Sequence, residues 1–365
     1  MNENMNEKNK VPKTKSELLN EQLEMLPLPC KKFISETGTE LAISTRLAYA
    51  RELNSFFDFL VSDKCMPRYD DKNNFLFSFS EKDKLSLTLD DIKLIKPTEI
   101  SQYLTYRKNQ GDSDRTLARK RAALSSYFEY MVTNRYLEYN PVSAAAKVKV
   151  HRSDTVIYIN VEEQNKLLND IVTGERLDNW KKKYHQKYML RDLTLITLLL
   201  DTGMRISEVH GINIGDIDFS DAKVLITRKG GKKQHIYFSD EVKGLIEVYI
   251  QERKNNKEDI KDSSPLFVTR STKNVPPKRL SIRAIEELVK KYTQASLPGK
   301  GNLSPHKFRS SFAMTFYEAS GYDLLALQNK LGHNTLAATN VYAKATDNTM
   351  KETRNLLEKV RKKPI

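Results

Sequence analysis

Cysteine is almost missing: Cys30 and Cys65 are the only two in 365 residues, and they form no CxxC pair. Two thiols are too few for a cysteine-based metal site, and in a reducing compartment they imply no disulfide. Long apolar runs are missing too. The longest, around Leu193 to Leu200, is interrupted by Thr194 and Thr197, well short of the roughly 20 apolar residues of a membrane span. The opening Met1-Asn2-Glu3-Asn4 has no apolar core of the signal-peptide kind. The chain therefore reads as cytoplasmic, with no membrane partner. No internal repeat is visible.

Charge is abundant. Charged residues make up 30% of the chain and hydrophobic ones 39%, enough for cores in two domains at this length. Lysine and arginine total 61 against 47 Asp and Glu, a formal net charge of +14. Such an excess points to a polyanionic partner, because basic side chains that neutralise phosphates release counterions from nucleic acid. RNA-binding and ribosomal proteins share this signature.

Residues 1 to about 20 are polar and are expected to be disordered. A helix is expected from Ser44, with Leu47, Leu53, Phe56, Phe57 and Leu60 on one side. The stretch from Cys65 to Lys96 breaks the pattern and reads as an extended loop or small hairpin. Helices resume at about 98–108 and 114–133. The second of these carries Arg115, Arg119, Lys120 and Arg121 on or beside the face away from its apolar residues, as a solvated face or as a grip on a duplex backbone. Asn140-Pro141 closes the region, and the basic segment from Lys147 to Arg152 reads as a linker.

Beyond it, a helix from about Arg191 should stop at Gly203, and another should start near Ile206. Val224 to Ile226 and His235 to Phe238 read as two strands joined by a hairpin with Lys229-Gly230-Gly231-Lys232 at its tip. Helices are expected at about 240–253, 281–294 and 306–319. Shorter ones surround Leu324 to Leu331 and Ala337 to Tyr342, and an amphipathic tail follows Asn348.

Four pieces could carry chemistry. Arg205 follows the helix-ending Gly203 within Thr202-Gly203-Met204-Arg205-Ile206-Ser207-Glu208, which would aim its guanidinium outward from a rigid base. Lys229 sits beside glycines in the hairpin, where a partly desolvated lysine can donate a proton. In Ser304-Pro305-His306-Lys307-Phe308-Arg309, the serine caps a helix and the proline opens it. His306 and Arg309, three apart, then pair a proton-transfer group with a bidentate phosphate binder. Last come Leu331-Gly332-His333 and, eight residues beyond the histidine, Tyr342.

Taken together, the order Arg205, Lys229, His306, Arg309, His333, Tyr342 resembles the tyrosine recombinase/integrase family, whose set is Arg, Lys, His-x-x-Arg, His and Tyr. Glu208 matches the acidic position after the first arginine. The match spans about 155–345 well and 40–142 more loosely. Ser310 stands where many relatives have histidine, and Ala343-Lys344 where Thr-His is common.

The resemblance implies a mainly α fold with a small β-sheet: a two-domain C-shaped clamp on double-stranded DNA. Residues 21–145 would be a helical, SAM-like core-binding domain, 146–157 a linker, 158–347 a mixed α/β catalytic domain, and 348–365 a tail helix docking into a neighbouring subunit. It also implies a homo-oligomer, a dimer on one site and a tetramer in the synapse, with Lys232 joining the helical cluster in DNA contact.

Chemically it implies attack by Tyr342 on a phosphodiester held by Arg205 and Arg309, a 3′-phosphotyrosyl intermediate, and neither metal nor cofactor. The lack of an Asp/Glu cluster agrees, since paired metal ions need several converging carboxylates. Only about 40 polar residues precede the first domain, too few for the arm-binding domain of lambda-type integrases. The layout resembles Xer recombinases, and Glu24-Met25-Leu26-Pro27 with the insertion after Cys65 resembles the single-chain XerS type. Strand exchange through a Holliday junction, in Xer-like chromosome dimer resolution, is the expectation, with integration of a mobile element as the alternative. The first domain's loose match to recombinases argues against a type IB topoisomerase, and the complete set of six against a non-catalytic DNA-binding protein.

Overall fold

The computed structural model describes residues 13–150, 156–228, 231–269, 275–301, 303–332 and 335–345. The chain divides into two compact units between Arg152 and Ser153.

The first unit is helical. Helix α1 (Lys15–Glu24) starts on a capping box, in which the Thr14 side chain accepts from the Glu17 amide and Glu17 accepts from the Thr14 amide at 2.7 Å. Disorder expected to residue 20 is thus corrected for residues 13–20: the cap and the burial of Leu19 order them. Residues 1–12 lie outside the described residues. Helices α2 (Leu28–Glu36) and α3 (Ile43–Leu60) follow, and Leu47, Leu53, Phe56, Phe57 and Leu60 are all buried along α3.

The stretch after Cys65 contains an antiparallel hairpin, β1 (Arg68–Tyr69) and β2 (Phe75–Phe77). Arg68 anchors it by donating from Nε to buried Glu99 at 2.7 Å. A single 3-10 turn and α4 (Leu89–Lys93) lead into α5 (Pro97–Asn109), α6 (Asp114–Thr133) and α7 (Pro141–Ala144). Aromatic rings fill the core, with Phe56 against Tyr103 at 5.3 Å and Phe33 against Tyr127 at 5.5 Å between centroids.

The second unit starts with α8 (Val161–Thr173), capped by Asn160 and Glu163. Its central helix, α9 (Asn179–Thr202), begins twelve residues before the expected Arg191. The first three turns are too polar to show an apolar stripe. They form because Asp178 accepts from the Lys181 amide at 2.8 Å, a helix cap. Further on, α9 is buried through Leu195, Ile196, Leu198 and Leu199.

Helix α10 (Ile206–Gly211) leads into an antiparallel sheet of β3 (Ile217–Asp218), β4 (Lys223–Thr227) and β5 (Lys233–Tyr237) in sequence order. Val224 pairs with Ile236, both buried, which sets the register. Helices α11 (Asp240–Asn255), α12 (Ile282–Ser296) and α13 (Pro305–Ala319) complete the main core. The last described helices, α14 (Leu324–Leu331) and α15 (Asn340–Ala345), form a smaller core with α13, into which Tyr342 is packed. Within the linker, residues 151–155 lie outside the described residues. So do residues 346–365, the expected tail helix among them. Among the described residues, no helix is long and apolar enough to cross a membrane.

Candidate active site

Gly203 ends α9 in the left-handed conformation, at φ 61°. The turn this allows reverses the chain into Arg205, which stands at the start of α10. Glu208, one turn on, accepts from the Arg205 amide at 2.7 Å and from its Nη1 at 2.9 Å. The carboxylate is 3% exposed and the guanidinium 43%, so a buried acid steers a cation that still reaches solvent.

Arg309, one turn into α13, is 4% exposed. Its Nη1 donates to the Gly203 carbonyl at 2.5 Å and its Nη2 to the Leu331 carbonyl at 2.6 Å. It therefore joins the end of α9 to the end of α14. Burial, and then the neighbouring Arg205 cation, lower its pKa to about 10. Holding a charged guanidinium there costs free energy unless an anion completes the site.

Tyr342 is 5% exposed. Burial raises its hydroxyl pKa, while a hydrogen bond with the Ser310 side chain and the Arg309 charge pull it back. His306, in the first turn of α13, remains exposed. Partial desolvation, then the Arg309 and Lys307 charges, hold its imidazole below the ordinary range. A neutral imidazole can accept a proton.

The structure thus brings Arg205, Glu208, His306, Arg309 and Tyr342 within electrostatic reach of Arg309 or of one another. Lys229 and His333 lie outside the described residues. Lys232 is exposed and lines a groove of about 1040 Å³ beside Arg205. Among the described residues, four cations (Arg205, Arg228, Lys232 and Lys233) line this groove against one carboxylate, Glu208.

The helical cluster of the first unit divides. Arg115 and Arg119 are exposed. Lys120 is corrected: it is 6% exposed and donates to Glu52 at 2.7 Å, because a buried carboxylate needs a cation and α6 turns this one inward. Arg121 is half-buried and donates to the Val142 carbonyl at 2.7 Å.

Sequence reasoning missed two participants. In the sequence Ser310 is only a departure from a common histidine, yet its side chain hydrogen-bonds with the Tyr342 hydroxyl. Arg228, immediately before Lys229, was hidden by the crowd of cations in the hairpin.

The sequence model of the phage integrase family matches residues 161–349. Among curated proteins, the chain is 30% identical to the tyrosine recombinase XerC of Caldanaerobacter subterraneus subsp. tengcongensis over 330 residues, 89% of this chain and 85% of that protein. It is 27% identical to the tyrosine recombinase XerS of Streptococcus uberis, over 89% of this chain and 93% of that one. The fold is similar to that of the XerH site-specific recombinase in a post-cleavage complex with its palindromic difH substrate. There the TM-score is 0.66 at 18% identity, covering 96% of this chain and 98% of that one. The chain belongs to the phage integrase family, the tyrosine recombinases.

Proposed function

We propose that this chain cleaves and rejoins double-stranded DNA through Tyr342 and exchanges strands between two duplexes by way of a Holliday junction. The observation that carries the reading is the buried guanidinium of Arg309, gathered with Arg205 and its carboxylate Glu208 beside the Tyr342 hydroxyl.

Phosphoryl transfer needs charge neutralisation and in-line positioning. Arg205 and Arg309 hold the non-bridging oxygens of the scissile phosphate, and His333 adds a hydrogen bond. As the Tyr342 oxygen bonds to phosphorus, its proton passes to His306. The bond to the 5′-oxygen breaks, and Lys229 protonates that oxygen. The 3′-phosphotyrosyl bond conserves the phosphodiester energy, so a 5′-hydroxyl from the other duplex reverses the step with no ATP.

By analogy with its Xer relatives, the chain works inside the cell as a homo-oligomer, two copies on one site and four in the synapse. Arg115, Arg119 and Lys232 contact the DNA backbone, and the role is chromosome dimer resolution. Incubation with a synthetic Holliday junction and with supercoiled plasmid tests the reading. Resolved junctions carrying exchanged strands are expected. Plasmid relaxation with intact junctions would instead make the chain a topoisomerase.

A further inference from the structure

Arg228 is the last described residue before Lys229 and closes the root of the β4–β5 hairpin. Its amide donates to the Lys232 carbonyl at 2.8 Å, and its own carbonyl accepts from Gly231 at 3.1 Å. Its side chain leaves the hairpin altogether and donates from Nη1 to the Leu331 carbonyl at 2.6 Å. That oxygen belongs to the last turn of α14, where helix carbonyls lack intrahelical partners and cations are favoured. Arg309 donates to the same oxygen at 2.6 Å. One carbonyl therefore gathers two guanidiniums, from elements more than 80 residues apart in sequence.

The arrangement is costly as a fold contact. Arg228 is partly desolvated, which disfavours its charge; the Glu208 carboxylate supports that charge and the Arg205 cation opposes it, and the net effect holds its pKa below the ordinary range. Its Nε is buried with no hydrogen-bond partner among the described residues. A buried unmet donor on a charged group destabilises the folded state. The chain also leaves room for this side chain. A Cβ at Gly332 would lie 2.6 Å from the Arg228 Cζ and closer still to Nη1, and Gly332 has φ 61°. So the residue between Leu331 and His333 is one with no side chain to obstruct Arg228.

We infer that Arg228 is a positioning residue for strand cleavage: it ties the root of the β4–β5 hairpin, one residue before Lys229, to the same Leu331 carbonyl that holds Arg309. This rests on the function proposed above. It makes Arg228 act through Lys229, and not as a third phosphate ligand.

The test compares wild type, Arg228→Ala, Lys229→Ala and the double variant on a nicked duplex carrying the cleavage site mapped with wild-type enzyme. Each is run on ordinary DNA and on DNA with a 5′-bridging phosphorothiolate, whose thiolate leaves without a proton. General acid catalysis contributes about 100- to 10,000-fold. Arg228→Ala should lose about 10- to 100-fold of the cleavage rate on ordinary DNA, a part of that contribution. On the phosphorothiolate its rate should return to within about threefold of wild type, because the step it serves is bypassed. The double variant should be no slower than Lys229→Ala, as expected for groups acting in one unit.

Equal losses on both substrates, or losses that multiply in the double variant, would overturn the inference in favour of a direct phosphate contact. Should Arg228→Ala fail to fold, Arg228→Met removes the same donor while keeping the bulk of the side chain and must give the same rescue. A wild type that forms no covalent adduct would defeat the function itself. A wild type that forms one, with no phosphorothiolate rescue of Arg228→Ala, defeats only the role of Arg228.

Discussion

Replacing Gly203 by alanine should damage both stability and chemistry, by an amount the structure lets one work out. At φ 61° an alanine is held in the left-handed region, which costs about 1–2 kcal/mol. Its Cβ would lie 2.8 Å from Cγ of Phe312 and closer to Cδ1. Phe312 is 8% exposed within the small core that also holds Tyr342, so the ring has little room to yield. Overpacking of this kind costs about 1–3 kcal/mol.

The sum is about 2–5 kcal/mol, and in a unit of this size each kcal/mol lowers Tm by about 2–4 °C. Gly203→Ala should therefore melt roughly 4–20 °C below wild type. Because Phe312 lies one turn beyond Arg309, and Arg309 is tied to the Gly203 carbonyl, the formation rate of the covalent adduct should fall as well. Gly299→Ala, where a Cβ meets nothing within 4 Å, is the control and should leave both unchanged. Thermal denaturation and a denaturing gel of trapped protein–DNA adduct make the measurements. If Gly203→Ala melts within about 1 °C of wild type and cleaves at its rate, the packing of Gly203, Phe312 and Arg309 described here is wrong.

In the first unit, Lys120→Met should cost about 3 kcal/mol in urea denaturation by leaving Glu52 short of a buried partner. Arg119→Ala, at a side chain 68% exposed that also pairs with Glu52 at 3.0 Å, should cost less than about 1 kcal/mol and in addition weaken DNA binding; the opposite pattern would reverse their roles. Both thiols should resist a maleimide at pH 8 until the chain is unfolded, since burial raises Cys65 to about 11 and Cys30 further; rapid native labelling of either would contradict their burial. Cleavage should persist in EDTA at fixed ionic strength, while DNA affinity falls steeply with salt. Activity lost to EDTA and restored by magnesium would refute phosphate neutralisation by arginines alone.

Much of the fold was legible because burial follows period. The α6 bounds, 114–133, were readable from Leu117, Leu124, Phe128 and Met131 at helical spacing. The strands on either side of the Gly-Gly turn were equally plain. Helix α1 and the first half of α9 were not, because their order comes from caps at Thr14 and Asp178 and not from an apolar stripe. The candidate catalytic set was legible only as an ordered group, each member being ordinary alone. Lys120 and Arg228 show the limit: a sequence lists cations, but only packing decides which one turns inward to Glu52 and which crosses to Leu331.

Cleavage by Tyr342 is tested most directly by identifying the nucleophile. Trapped adduct from a nicked DNA substrate, digested with protease and read by mass spectrometry, should yield one DNA-linked peptide, spanning Tyr342. Tyr342→Phe should form no adduct while binding DNA nearly as wild type does. A linked peptide from any other part of the chain, or an adduct that survives Tyr342→Phe, would contradict it.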